Sequence, residues 1–515
     1  MGNDKKKEIF LILVCLLIGF ALRFYTFDRK ALWVDEVYTF NDSRDNLKEQ
    51  IKFYKERPVY LQAPLFFILT HQFFPFEKPE RDLRIIPLIF GTLSIPMIYL
   101  LARQFAPGIG IPCTVALTLM TYHVSLSQDG RSYSLLLFLG IISLYFFTKH
   151  LQTSQKGYLL LVAFFFSILF HTSYSSIPFI VFSQILWFYR PDEESKKPKI
   201  SSFFILNGLF ILLCLPWILF VILNYRGQTI ADPWHTEEIG SFFSILYGVF
   251  HDWVPHTPLM VVSVFLFLLF PVFSKYRKNA LLLLAFFVLP IGGLYLFCKL
   301  FNITHFITSR YFINFFPVFL VTLFLSLNAI ESKFMSLKRF FRLKFLFVVL
   351  FTASHLVILP LYYRSEKQDF RGLATYLANH LREGDNIFVR TTSYIPGILH
   401  YLKVHPEKRH HMIFFKKISE EAIEYQIPFT YRNQIVMIYY SKNCCTQYVE
   451  DGNRLWIVVD KWTAKQIKDS SPAILKGYFD GSFLNYNRFP FDASLYLFLW
   501  DPQSPHEKGI DLPIE

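Results

Sequence analysis

Residues 32–39 read Leu-Trp-Val-Asp-Glu-Val-Tyr-Thr and directly follow the first long apolar segment of the chain. The adjacent carboxylates of Asp35 and Glu36 therefore stand where a membrane helix is expected to emerge into water. An ionisable group at this depth of a bilayer is costly unless it is paired or used, and such residues mark functional sites. The octet is thus the first candidate site, and the sequence around it predicts its setting.

The composition is that of a membrane protein. Hydrophobic residues make up 53% and charged residues 18% of the 515 positions, whereas soluble domains carry about a quarter charged residues. Apolar runs rich in Phe and Leu recur at lengths that cross a bilayer. The net charge of +13 does not indicate a nucleic-acid partner, because no basic stripe with interleaved aromatic residues accompanies it.

Eleven apolar segments are predicted to span the membrane. The first follows three lysines and resembles a signal peptide, but no small-residue cleavage site comes after it. We therefore predict an uncleaved span with a cytoplasmic N-terminus. The predicted spans lie near residues 9–27, 83–103, 109–126, 133–148, 157–174, 176–189, 200–223, 258–273, 279–300, 311–330 and 345–363.

The distribution of Lys and Arg predicts which loops face the cytoplasm. The loops at 149–156, 190–199, 275–278 and 333–344 are rich in these cations. The short loops on the other side carry about one Arg each, and this asymmetry is typical of the positive-inside rule. The long loop 28–82 is basic as well, but long loops follow the rule weakly.

Two stretches of the first outer loop are predicted to be helical without spanning. Residues 43–57 are polar, and residues 61–76 are apolar but interrupted by Pro and His. The second stretch is too short to cross comfortably, so we predict an interfacial or re-entrant helix.

The composition changes near residue 364. A predicted helix from Phe370 to Arg382 ends at Gly384, a residue type that suits a helix C-terminus. Strands are predicted at 386–390, 411–415, 435–440, 455–459 and 494–500. The predicted fold class is therefore an α-helical polytopic membrane domain over residues 1–363, followed by an extracytoplasmic α/β domain over residues 364–515.

The polar residues expected at the outer face suit a lipid-linked sugar phosphate. Such a donor keeps its chain in the bilayer and its phosphate at the interface, where the planar fork of an arginine can bind it. A carboxylate can take the proton of an acceptor hydroxyl, and an arginine can stabilise the leaving phosphate. The sequence contains neither a CxxC nor an HExxH motif, so we predict no cofactor, although a divalent metal stays open.

Several motifs in order resemble one known family. Residues 32–39 are similar to the first-loop motif of GT-C membrane glycosyltransferases, the polyprenyl-phosphate-sugar-dependent relatives of protein O-mannosyltransferases and of the lipid A aminoarabinose transferase. The bacterial branch described as lipopolysaccharide-core glycosyltransferase-like is the most similar. Further matches are 63–67 with His71, 84–103, 127–133, Arg310-Tyr311 with Pro317, and 369–385, so the resemblance covers roughly residues 9–390.

The resemblance implies roles for three acids. Asp35 matches the first-loop acid and would be the general base, with Glu36 as the adjacent alternative. Asp129 matches the second acidic position. From the residues alone, Asp35 and Glu36 could instead cap a helix, and Asp129 could close a turn by pairing with Arg131.

The resemblance also implies a phosphate-binding set. Arg131, Arg310 and Tyr311 match its cationic and late Arg-Tyr positions, and Gln62 stands where a Lys or His often precedes the Pro pair. Leu61 replaces an acid that binds metal in the aminoarabinose branch, which weighs against a metal at that spot. By itself Arg310 could be an interfacial anchor, and Arg23 could be structural and pair with an acid.

The implied function is transfer of a hexose or pentose, with inversion, from a polyprenyl-phosphate-linked donor. The acceptor would be an envelope glycan, lipid or protein on the extracytoplasmic face of a bacterial inner membrane. The alternatives are a flippase or transporter of lipid-linked sugars and an inactive scaffold that keeps the fold. A transporter is expected to carry charges at the bilayer midplane and paired repeats, and the sequence shows neither.

The predicted sidedness can be tested by cysteine labelling in intact cells. With a membrane-impermeant maleimide, Ser482→Cys should react from outside, whereas Ser195→Cys should react only after permeabilisation. Reaction of both positions from the same side would disprove the eleven-span arrangement.

Overall fold

The computed structural model describes most of the chain, with gaps in several loops. The described residues are 3–58, 61–190, 198–224, 241–300, 307–334, 342–391, 393–404, 415–417, 423–432, 434–441, 453–484, 491–503 and 508–514.

The N-terminal two thirds are built from helices. The helices before residue 190 are α1 (Asn3–Phe24), α2 (Val34–Asp42), α3 (Leu47–Glu56), α4 (Leu65–His71), α5 (Pro79–Asp82), α6 (Ile85–Phe105), α7 (Gly110–Leu119), α8 (Thr121–Ser127), α9 (Tyr133–Thr153), α10 (Lys156–Thr172) and α11 (Ile177–Ser183). After them come α12 (Ile200–Asn224), α13 (Phe242–Trp253), α14 (Thr257–Phe273), α15 (Arg277–Leu300), α16 (Phe316–Lys333) and α17 (Leu343–Arg364).

Each of the eleven apolar segments coincides with a helix or with a pair of adjoining helical stretches. Within the described residues, six helices are long and apolar enough to cross a membrane, or up to eight if each of two bent pairs is one span. The pairs are α7 with α8, bent by 61°, and α13 with α14, bent by 108°. The mainly helical fold with several apolar helices is thus confirmed, and the count of eleven spans stays a prediction.

The loop 28–82 contains the two predicted short helical regions. Helix α3 lies within residues 43–57, and Asn46 caps it by accepting a hydrogen bond from the Glu49 N–H at 3.1 Å. Helix α4 has only seven residues, consistent with an element that does not cross a bilayer.

Arg23 supports the break between α7 and α8. It is fully buried at the end of α1 and donates to the carbonyls of Leu117 and Thr118 at 3.0 and 3.2 Å, the groups that the end of α7 leaves without helical partners. Its guanidinium also lies 2.8 Å from Nδ1 of His123. Arg23 is therefore structural as predicted, but its partners here are carbonyls and a histidine, whereas an acid was expected.

The C-terminal residues form a seven-stranded mixed sheet. Its strands are β1 (Asn386–Val389), β2 (Phe415–Lys417), β3 (Ile423–Tyr431), β4 (Gln434–Ser441), β5 (Leu455–Val459), β6 (Ile474–Phe479) and β9 (Leu495–Trp500). Their order in the sheet is β2-β3-β4-β1-β5-β9-β6, with β1 parallel to both β4 and β5 in the centre and antiparallel pairs toward both edges. A separate pair comprises β7 (Ser482–Phe483) and β8 (Phe491–Asp492), and the helices are α18 (Phe370–His380), α19 (Tyr394–Tyr401) and α20 (Lys461–Ser470).

This sheet confirms the α/β character of the C-terminal region. Four predicted strands match β1, β4, β5 and β9, and the predicted helix matches α18. Strands β3 and β6 were not predicted, and most of the predicted strand at 411–415 lies outside the described residues. The boundary at 363/364 stays a prediction, next to the end of α17.

Removing the Arg23 guanidinium should destabilise the helical region. In Arg23→Met the carbonyls of Leu117 and Thr118 lose charged donors, each worth about 1.5–3 kcal/mol. Equilibrium unfolding in detergent micelles measures the loss, with Arg103→Met as the control because Arg103 forms an exposed ion pair with Glu8. Equal stability of the two variants would contradict the role of Arg23.

Candidate active site

Helix α2 separates the two acids of the octet. The helix begins after Trp33, and Glu36 at its third position caps it by accepting a hydrogen bond from the Trp33 N–H at 3.4 Å. Neighbouring residues on a helix point about 100° apart. Glu36 consequently faces the interior, and Asp35 lies on a different side with 22% of its side chain exposed. The capping interpretation is correct for Glu36.

Glu36 is fully buried in a bidentate ion pair. Arg84, just before α6, donates from Nε and Nη2 to the two carboxylate oxygens, both at 2.6 Å, and the Gly130 N–H donates at 2.6 Å. Burial alone would raise the pKa of Glu36, but the charges of Arg84 and Lys367 outweigh it and lower the pKa to about 2. Arg84 also donates to the carbonyls of Phe27, Lys30 and Ala31.

Asp129 forms a second buried site beside Glu36. Its Oδ1 accepts from the Trp33 indole N–H at 2.9 Å and lies 3.2 Å from Nζ of Lys367. Burial raises the pKa of Asp129, and the Glu36 charge adds to this effect, while Lys367 opposes it. The turn-closing pair with Arg131 considered from the sequence is not the contact that Asp129 makes here.

Asp35 is the accessible acid of the cluster, and it pairs with the buried Arg310. Nη1 of Arg310 lies 3.1 Å from Oδ2 of Asp35, and the Arg310 side chain is only 8% exposed. The guanidinium lies 5.4 Å from the ring centre of Trp33, 5.8 Å from that of Tyr133 and 5.6 Å from that of Tyr311. These rings hold the cation in place by cation–π contacts.

Arg131 contacts α2, the helix that carries Asp35. Its Nη1 donates to the backbone carbonyl of Asp35 at 3.3 Å and to Oγ1 of Thr39 at 3.2 Å. Burial opposes the charged form, but the Asp35 carboxylate raises the pKa of Arg131 above its usual value. Arg131, Arg310 and Asp35 thus gather two cations and one carboxylate.

The structure therefore places the candidate residues in two layers. Asp35, Arg131, Arg310 and Tyr311 lie together, and Glu36 and Asp129 lie in the buried layer beneath them. Gln62 is partly exposed ahead of α4, and among the described residues no hydrogen bond connects it to the cluster.

Sequence reasoning missed the buried cations. Arg84 and Lys367 are ionisable residues at the ends of apolar helices, and this signal could have identified them. Their partners could not be read from the sequence, because the contacts join positions 48 and 331 residues apart. The contact of the Trp33 indole with Asp129 was not predicted either.

The part of the chain that the structure describes contains no candidate metal site. There, no group of three or more His, Cys, Asp or Glu side chains could hold a metal ion.

Comparison with known proteins places this site in a known fold. The family profile of dolichyl-phosphate-mannose-protein mannosyltransferase matches residues 62–234. The crystal structure of ArnT from Cupriavidus metallidurans in the apo state is similar over 97% of this chain and 98% of ArnT, with 11% identity and a TM-score of 0.52. None of the curated proteins is similar enough in sequence to count as a match.

Two further solved structures are similar. ArnT from the same organism bound to undecaprenyl phosphate has 12% identity, covers 96% of this chain and 98% of its own, and gives a TM-score of 0.49. The Archaeoglobus fulgidus oligosaccharyltransferase tethered with an acceptor peptide has 13% identity, covers 76% of this chain and 62% of its own, and gives a TM-score of 0.47.

The chain has a GT-C glycosyltransferase fold similar to that of ArnT. The match to apo ArnT extends over nearly the whole of both chains, and the mannosyltransferase profile covers residues 62–234. The fold predicted from the octet and the motifs that follow it is confirmed.

Removing one charge of the buried ion pair should destabilise the protein. Glu36→Gln leaves Arg84 buried without its carboxylate, which typically costs about 3–5 kcal/mol. Equilibrium unfolding in micelles measures the loss, and Glu56→Gln is the control because Glu56 is an exposed acid on α3. The double variant Glu36→Gln/Arg84→Met should recover part of the loss, and equal stability of Glu36→Gln and Glu56→Gln would contradict the assignment.

Proposed function

We propose that this chain is a membrane glycosyltransferase that moves a sugar from a polyprenyl-phosphate-linked donor to a hydroxyl group of an envelope acceptor. The observation that carries the proposal is an accessible carboxylate, Asp35, held 3.1 Å from an arginine in a GT-C fold. A base can take the proton of the acceptor hydroxyl, and a cation at this separation can stabilise the phosphate that leaves.

Asp35 is the general base in this proposal. It is the exposed member of the acid pair, whereas Glu36 is fully buried with both carboxylate oxygens bound by Arg84. A general base must reach the proton it removes. Glu36 and Asp129 are thereby assigned to supporting the site, since both are buried and paired with cations.

Arg310 and Arg131 bind the donor phosphate. Arginine matches the geometry of phosphate oxygens and keeps its charge at the interface. The acceptor oxygen attacks the anomeric carbon while the bond from that carbon to the phosphate oxygen breaks. The acceptor proton passes to Asp35, and the polyprenyl phosphate leaves as an anion next to the arginines. One such displacement inverts the anomeric configuration.

The match to the dolichyl-phosphate-mannose-dependent family supports the donor class, because that donor is itself a polyprenyl-phosphate sugar. The Lys and Arg asymmetry supports an extracytoplasmic site in a bacterial inner membrane. The acceptor is a glycan, lipid or protein of the envelope.

The test is transfer of radiolabelled sugar from purified polyprenyl-phosphate sugars by the protein in proteoliposomes, with envelope extracts as acceptors. Asp35→Asn keeps the shape of the side chain and removes its basicity, so transfer should fall 10²–10⁴-fold, the usual effect of losing a general base. Binding of the donor and thermal stability should stay close to wild type. Asp28→Asn is the matched control, since Asp28 lies in the same loop and pairs with Lys78 away from the cluster.

Wild-type turnover of Asp35→Asn would reject this base, and loss in Glu36→Gln without unfolding would transfer the role to Glu36. Movement of label across the bilayer without a new glycosidic bond would identify a flippase instead. If the wild-type protein neither transfers the sugar nor moves the label across the bilayer, an inactive scaffold is favoured.

The phosphate role has a separate test. Arg310→Ala or Arg131→Ala should weaken donor binding by about 1.5–3 kcal/mol, the scale of a charged hydrogen bond. The donor KM and direct binding of a polyprenyl phosphate measure the effect. Unchanged donor KM and turnover in both variants would exclude these arginines from the phosphate site.

A further inference from the structure

The segment that leaves α17 crosses the first outer loop before it enters the C-terminal sheet. We propose that Lys367 in this segment is a positioning residue, through which the C-terminal region holds the acid-bearing helix α2 and the Arg310 guanidinium in their reactive arrangement. The inference rests on the proposed function for its effect on rate, but its effect on structure can be measured without it.

Lys367 joins the two buried acids. It is 6% exposed, and its Nζ lies 3.2 Å from Oδ1 of Asp129 and 3.6 Å from Oε1 of Glu36. It also donates to the carbonyl of Gln128 at 3.2 Å. An ammonium group has three donors, and these contacts direct it between α2 and the loop that follows α8. With Arg84, it balances two buried carboxylates by two cations.

Trp33 connects the cluster of Lys367, Glu36 and Asp129 to the pair of Asp35 and Arg310. Asp129 fixes the indole by accepting its N–H at 2.9 Å, and the Phe483 ring packs against the indole with centres 4.8 Å apart. The Arg310 guanidinium lies 5.4 Å from the same indole. Lys367 therefore reaches Arg310 through Asp129 and Trp33.

The residues on either side of Lys367 hold the same stretch of backbone. Glu366 accepts from the Ala31 N–H at 2.8 Å, and Gln368 accepts from the Val34 N–H at 3.3 Å. Three consecutive side chains of the segment thus fix the entry into α2. Because a displacement of about 1 Å at a reacting group can cost 10²-fold in rate, this support bears directly on Asp35.

The test compares Lys367→Met and Lys367→Arg with Arg371→Gln. Arg371 pairs with Glu80 at 2.8 Å, so Arg371→Gln weakens a contact between the same two regions without touching the buried acids. Hydrogen exchange of the full-length protein in micelles follows the amides of residues 33–42 and 128–132. Exchange there should rise in Lys367→Met, and it should stay close to wild type in Lys367→Arg and Arg371→Gln.

Kinetic measurements distinguish a positioning role of Lys367 from a purely structural role. In Lys367→Met we expect kcat to fall 10- to 100-fold, with a smaller change in donor KM than Arg310→Ala produces and with partial rescue by Lys367→Arg. If Lys367→Met does not fold, the double variant Lys367→Met/Asp129→Asn, which removes one charge of each sign, is compared with Asp129→Asn alone, and the same exchange and kcat changes are expected beyond those of Asp129→Asn.

Unchanged exchange at 33–42 and 128–132, or an equal rise in Arg371→Gln, would overturn the inference. An equal fall in kcat in Lys367→Met and Arg371→Gln would also overturn the inference. Raised exchange in Lys367→Met together with no sugar transfer by the wild-type protein would reject the proposed function and leave the structural role of Lys367 standing.

Discussion

The buried ion pair of Glu36 and Arg84 is the interaction on which the rest of this site depends. Each of the two charges would be prohibitive to bury alone, and the pair is tolerated because both carboxylate oxygens and most guanidinium donors are satisfied. Through it, α2 and the start of α6 are fixed to each other, and the Gly130 N–H fixes the loop between α8 and α9 to the same carboxylate. A side chain at Gly130 would crowd Glu36, since an added Cβ would lie 3.2 Å from Oε1.

The two adjacent acids have different roles because of helical geometry. A helix turns about 100° per residue, so consecutive side chains cannot both face the same partner. Glu36 takes the interior direction and is held ionised, and Asp35 takes the direction toward Arg310. A motif written as two neighbouring acids therefore encodes one structural and one accessible carboxylate, and burial distinguishes them where residue type does not.

The sequence predicted most of the helical fold because the length of an apolar run and the residues that end it can be read locally. The eleven apolar segments and the strands at 386–390, 435–440, 455–459 and 494–500 all coincide with observed elements. The interior of the site was predicted less well. Arg84 and Lys367 gain their roles only from chain segments that meet in the folded protein, and β3 was missed since its run Ile423–Tyr431 contains a proline that weakens a strand pattern.

Motif matching does not distinguish acids that differ in burial. Asp129 matches an acidic position of the family, yet here it is 1% exposed and binds the Trp33 indole and Lys367. Its loss would leave Trp33 without an acceptor and would change the balance of buried charge, and activity would fall even if Asp129 never touched a substrate. Loss of activity on mutation consequently does not identify the base in such a cluster. Accessibility supports the proposed choice of Asp35, since among Asp35, Glu36 and Asp129 only Asp35 combines exposure with an adjacent guanidinium.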